Sequence, residues 1–240
     1  MNLYTILALS LLVLTHLFSY KLNLTSIPRS RWLSFAGGIS VAYIFLSAFP
    51  ELFEFHEAVR EEKGFILADS AIFLLALGGL VLFYGLERHA KLTEHSRRDP
   101  AGEEQEGSIY WLHLASFALY NLIIGYLLLE REEDSGRFGM ILYATAMAFH
   151  FMVTDFALAE HYTKRYEKGG RWLLVAAVIA GWGISLFLEI PKHYLGMLFA
   201  FLAGGVILNV MKEELPKERE SNLPAFISGV VGYGVLLIAG

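Results

Sequence analysis

Two apolar stretches each carry a short polar group near the middle. Residues 109–129 contain Tyr120-Asn121-Leu-Ile-Ile124-Gly125, and residues 138–160 contain His150-Phe-Met-Val153-Thr154-Asp155. His150 and Thr154 lie four residues apart and share one face of a helix. If the two stretches are neighbouring helices, Tyr120 and Asn121 adjoin that face. One imidazole, one amide, one phenol and one hydroxyl can then ligate a cation, although zinc prefers several His, Cys or carboxylate ligands. The same groups can instead close an interhelical hydrogen-bond network, His150 to Asn121 or Tyr120. The residue types leave both readings open.

Asp155 adds a carboxylate. An ionised group at bilayer depth is costly unless it faces a partner or a water-filled cavity. His113 stands at similar depth on the first stretch, and Glu160 and His161 lie just beyond, at the boundary. This acid and imidazole cluster reads as a cytoplasmic-side metal or proton site, or as an ion pair with interfacial solvation. Helical rise puts Asn121 roughly 18 Å and His150 roughly 15 Å from the cytoplasmic ends of their stretches, and Asp155 roughly 7–8 Å inside. Asn121 and His150 can therefore meet near the midplane. On the opposite side, Glu51, Glu54, His56 and Glu57 follow Pro50. They form either an acidic mouth that concentrates cations or a solvated loop.

The elements that must position these groups are membrane helices. The chain has 240 residues, is 55% hydrophobic and 18% charged, and has a mean hydropathy of +0.49. Soluble domains carry about 45–50% apolar residues and more charge. The apolar runs approach the roughly 20 residues that cross a bilayer, without the alternation of a β-barrel strand. Eight spans are expected, at 2–20, 32–50, 65–86, 109–129, 138–160, 171–190, 194–211 and 223–240. The loops after spans one, three, five and seven, together with Arg171 at the first position of span six, hold fourteen of the nineteen Lys and Arg residues. Cationic loops stay in the cytoplasm, so both termini are expected outside. The first run has no positive segment before it, which favours a retained helix over a signal peptide. Trp32, Trp111 and Trp172 fall near expected cytoplasmic ends, where indoles favour the interface.

The chain is expected to be one transmembrane domain over 1–240, with residues 88–107 a flexible cytoplasmic loop. That stretch is polar and contains Pro100, and its His89 and His95 read as loop residues or a metal pair. There is no cysteine, which excludes disulfides, thiolate metal sites and cysteine nucleophiles. Net charge is −5 and gives no reason to expect a nucleic-acid partner. No His-Glu-x-x-His, Gly-x-Ser-x-Gly or P-loop pattern occurs, so the chain is not expected to be an enzyme.

An internal repeat is legible. Phe35-Ala36-Gly37-Gly38 leads to Pro50-Glu51 in span two, and Leu202-Ala203-Gly204-Gly205 leads to Glu214-Leu215-Pro216 in span seven. An even and an odd span run in opposite directions, as in the inverted repeats of transporters. Gly-Gly pairs also serve simply to let helices approach closely.

With Pro50-Glu51 closing span two, Leu-Gly-Gly-Leu-Val-Leu-Phe-Tyr-Gly-Leu-Glu87-Arg88 closing span three, and a long loop after it, the chain resembles the ZIP family of zinc and iron permeases. That family carries His-Asn-x-x-acid-Gly in its fourth helix, where this chain has Tyr120-Asn121-Leu-Ile-Ile124-Gly125. Its fifth helix carries His-x-x-Pro-Glu-Gly, where this chain has His150-Phe-Met-Val153-Thr154-Asp155. Asn121, Gly125 and His150 match. The resemblance implies an all-α, eight-helix bundle with both termini outside. It also implies a divalent cation, Zn, Fe or Mn, as the substrate, with no organic cofactor. The expected metal-site residues are His150, Asn121, Thr154, Asp155 and His113, with Tyr120, Glu160, His161 and Glu51 along the path. The alternative is a ZIP-fold protein that transports nothing and has a binding, regulatory or structural role. The expected partners are the lipid bilayer of a plasma or bacterial inner membrane and divalent cations, with a homodimer left open.

Overall fold

The computed structural model describes residues 3–19, 29–61, 70–95, 100–211 and 222–239. Among them the regular structure is all helical, with no strand. The helices are α1 (Leu3–Phe18), α2 (Arg29–Tyr43), α3 (Phe49–Glu61), α4 (Ala71–His95), α5 (Pro100–Arg165), α6 (Arg171–Ser185), α7 (Lys192–Asn209) and α8 (Leu223–Ala239). Wider π-helical turns at Ile44–Ala48 and Tyr166–Gly170 join α2 to α3 and α5 to α6. Long Leu- and Ala-rich runs favour helix by propensity and length. Two stretches, Ser34–Glu61 and Gly136–Phe156, are long and apolar enough to cross a membrane, and five other apolar helices are shorter.

Helix α5 contains two of the expected spans, and it folds back on itself. The Tyr143 hydroxyl donates to the Ile124 carbonyl, 19 residues away, at 3.4 Å. That many residues of straight helix would separate them by roughly 28 Å. Gly136 lies between them with φ 65°, the only positive φ among the described residues. Only glycine adopts that conformation without a Cβ penalty, so the chain reverses there. It reverses again before α6, because Leu122 and Gly125 on the first arm also meet Gly181 and Val178. The wide turn Tyr166–Gly170 falls in that interval.

Two expected loops are corrected. Span two was expected to end at Pro50, with Glu51 in a loop. Pro50 has no N–H to donate back to Leu46, and its ring crowds that carbonyl. The preceding turn widens to accept it: the Phe49 N–H bonds the Ile44 carbonyl, five residues back. The helix then runs on to Glu61, and Glu51 is buried in its first turn. Glu54 and Glu57 stay exposed, with Glu57 paired to Arg60 at 3.3 Å. Within 88–107, residues 88–95 continue α4 and 100–107 open α5. Glu, Gln, Lys, Arg and Ala sustain helix beyond the apolar part, and Pro100 is tolerated in a first turn. Residues 96–99 and the side chains of His89 and His95 lie outside the described part of the structure.

Where the sequence reading takes one domain, the chain gathers into two compact units. One is Met1–Glu51, Asn121–Glu189 and Asn209–Gly240, and the other is Leu52–Tyr120 and Ile190–Leu208. Both are built on reciprocal glycine crossings. In the first unit, a Cβ on Gly38 would overlap the Phe226 carbonyl, and one on Gly229 would overlap the Phe35 carbonyl. Gly125 and Gly181 meet the Val178 and Leu122 carbonyls in the same way. In the second unit, Gly79 and Gly204 meet the Phe201 and Ala76 carbonyls. Each glycine seats the carbonyl three residues before its partner glycine. Backbones this close gain dispersion and Cα–H···O contacts. The repeat aligned Gly38 with Gly205, yet the crossing glycine in α7 is Gly204, while Gly205 faces the Phe83 ring. The two blocks therefore use their glycines one residue out of step.

Candidate functional site

The site starts from helix α1. Its buried positions are Thr5, Ala8, Leu12 and His16, followed by Ser19 just past its end. Steps of three and four residues place them on one face. The opposite positions Leu3, Leu7, Leu11, Leu14 and Phe18 are exposed. The helix thus turns Thr5, Ala8, His16 and one leucine, Leu12, inward and its other leucines named here outward, and α6 packs against it in the same unit.

His16 is the centre of a buried polar chain. Its Nδ1 lies 2.9 and 3.0 Å from the two carboxylate oxygens of Asp155. Its Nε2 lies 2.6 Å from Asn121 Oδ1. The Ser19 hydroxyl donates to Asp155 Oδ2 at 2.8 Å. Asp155 is 0% exposed, His16 1% and Asn121 2%. Both imidazole nitrogens lie within hydrogen-bond distance of an oxygen. The ring also stacks on Phe151, with centroids 4.3 Å apart and planes at 27°.

Local sequence explains the geometry. His16 and Ser19 are one turn apart, so both reach the same carboxylate. Phe151 and Asp155 are four apart on the second arm of α5, so one supports the ring face while the other takes its edge. The reversal at Gly136 brings Asn121, on the first arm, to the far nitrogen. The crossing of Gly125 with α6 holds that first arm close one turn further on.

Of the residues singled out from sequence, Asn121 and Asp155 are brought together, with His16 between them. His150 is buried at 2% exposure, with its ring centroid 6.4 Å from that of Phe151. Thr154 is half-buried, and Tyr120 and Glu51 are buried. The side chains of His113, Glu160 and His161 lie outside the described part of the structure.

Sequence reasoning asked for a partner to Asp155 and looked to His113 and the boundary cluster. The structure supplies His16 and Ser19 from a helix read only for its topology. The signal was present: Thr5, His16 and Ser19 fall on one face of an otherwise Leu-rich run. Among the described residues, no three His, Asp or Glu side chains gather to hold a metal ion. No family model matches the chain, and neither a curated protein nor a solved structure matches it.

Proposed function

We propose that the chain is an integral membrane protein that passes a divalent cation beside the Asp155–His16–Asn121 group. The observation that carries this reading is the fully buried Asp155 carboxylate, in a molecule that turns Leu, Ile, Val and Phe outward along its helices. Inside a bilayer such a carboxylate marks an ion path or site by default. The resemblance to ZIP permeases makes zinc, iron or manganese the cargo. It makes the architecture eight spans with both termini outside, in a plasma or bacterial inner membrane.

Two contacts support alternating spans. The Arg137 guanidinium lies 5.0 Å from the centre of the Tyr4 ring, so the start of α1 and the turn at Gly136 share one end of their unit. The Asn222 N–H donates to Ser34 Oγ at 3.0 Å, so α2 and α8 begin together. Both pairings follow if spans one and five enter from one side and two and eight from the other.

The test is uptake of Zn²⁺, Fe²⁺ and Mn²⁺ into liposomes holding the purified chain. At least one ion should accumulate, and Asp155→Asn should abolish its uptake while the protein still folds. Absence of uptake for all three ions in folded wild type overturns the reading. A second reading is favoured by the completeness of the network: Asp155 is engaged by both His16 and Ser19, as in a pin that joins α1 to α5. On that reading the chain has a binding, regulatory or structural role, and the same variants lose stability with no uptake to lose.

A further inference from the structure

We infer that Asp155, Asn121 and Ser19 form a site for a hard, oxygen-preferring cation, and that the His16 ring is a plug seated in it. The inference rests on the cation reading above, keeps manganese from its three ions and extends it to Mg²⁺-like ions. Three oxygens of different chemistry border the ring: a carboxylate, an amide carbonyl and a hydroxyl. Nδ1 meets the carboxylate at 2.9 Å, and Nε2 meets the amide oxygen at 2.6 Å. The Ser19 hydroxyl stands on the same carboxylate at 2.8 Å.

The size of the gap selects the occupant. The carboxylate and amide oxygens are roughly 7 Å apart, two hydrogen bonds plus the width of a ring. A bare ion at about 2.1 Å from each ligand cannot bridge them, but a partly hydrated ion can. It would bind Asp155 directly and Asn121 through one of its waters, with the Ser19 oxygen beside it. Mg²⁺ and ions like it keep several waters when bound. A site of one carboxylate, a carbonyl and a hydroxyl suits such ions, whereas zinc takes several His, Cys or carboxylate ligands.

The plug follows from the same contacts. Removing the ring alone would take one hydrogen-bond partner from a buried carboxylate and one from a buried amide oxygen, which is costly. Removing it as a hydrated cation enters keeps both oxygens engaged. The site therefore has two satisfied states, one filled by the chain and one by the ion. His16 sits in the last turn of α1, and helix ends open at the least cost, so the inferred motion is an opening of that turn that carries the ring off Phe151. While the ring occupies the gap in most molecules, apparent affinity falls by the fraction of time the site is open.

The experiment is Mn²⁺ binding, followed by electron paramagnetic resonance, to the full chain in nanodiscs. His16→Ala should bind Mn²⁺ at least about tenfold more tightly than wild type, as expected when a plug that is seated most of the time is removed. Mg²⁺ should displace the Mn²⁺. The gain should vanish in His16→Ala/Asp155→Asn. If His16→Ala does not fold, His16→Asn reaches one oxygen but not both, and should show a smaller gain. Unchanged or weaker Mn²⁺ binding in the folded variant overturns the inference, as does a gain that survives Asp155→Asn. Uptake by wild type without this gain sinks the plug and leaves the transport reading standing. The gain without uptake by any variant upholds the site and sinks transport.

Discussion

At the scale of single residues, Asp155 shows what a sequence can and cannot disclose. The cost of a carboxylate within an apolar run is legible from one residue and its neighbours, so the need for a partner is too. The partner is not, because His16 lies 139 positions away and only the packing of α1 joins them. A lone histidine in a leucine run gives no pairing information until the helix faces are known. The pair makes a testable statement about energy. Removing one member of a buried hydrogen-bonded pair leaves the other short of a partner and costs about 1–3 kcal/mol, whereas replacing both by apolar groups can be nearly neutral. His16→Leu and Asp155→Leu should each lower stability by about that amount, and the double variant should lose less than either single. Denaturant unfolding in detergent measures all three. Additive losses would mean that the two side chains do not act on each other.

Elements show a different balance. The helical runs and their apolar character are legible because length and composition fix them. Their ends are less so. Pro50 reads as a stop, but a π turn absorbs it. The polar stretch around Pro100 reads as a loop, but good helix formers carry the helix through most of it. Glycine pairs were visible as packing devices, yet the sequence does not say which member of a pair is at the crossing. The structure does. In α4 a Cβ on Gly79 would overlap the Phe201 carbonyl, while one on Gly78 would meet nothing. Gly79→Ala should therefore destabilise, by about 1–3 kcal/mol, since the clash is with backbone that cannot rotate away. Gly78→Ala should be neutral or stabilise by about 0.5–1 kcal/mol, through helix propensity alone. Thermal unfolding of the two variants in one detergent compares neighbouring positions directly. Equal effects would show that the α4–α7 crossing is looser than described.

For the whole molecule, the proposed membrane reading makes a statement about orientation. The sequence supports one direction through charge: the loops after the odd-numbered spans, with Arg171 at the start of span six, hold fourteen of nineteen Lys and Arg residues. Such loops remain in the cytoplasm because translocating them is disfavoured. The structure contributes the pairing of ends, through Arg137 with Tyr4 and Asn222 with Ser34. On the proposed membrane reading, the charge asymmetry sets the direction and alternation of spans carries it to α6. The turn before α6, Tyr166–Gly170, is then expected inside and the segment after it outside. Lys168 and Glu189 flank α6 and are both exposed, so a side chain placed at either is open to reagent. The native chain has no cysteine, so a single introduced thiol reports without background. In intact cells an impermeant maleimide should label Glu189→Cys at once. It should label Lys168→Cys only after the membrane is opened. The opposite pattern would invert the orientation. Full labelling of both variants in intact cells would mean that α6 does not cross, and the cation path past Asp155 would lose the bilayer it depends on.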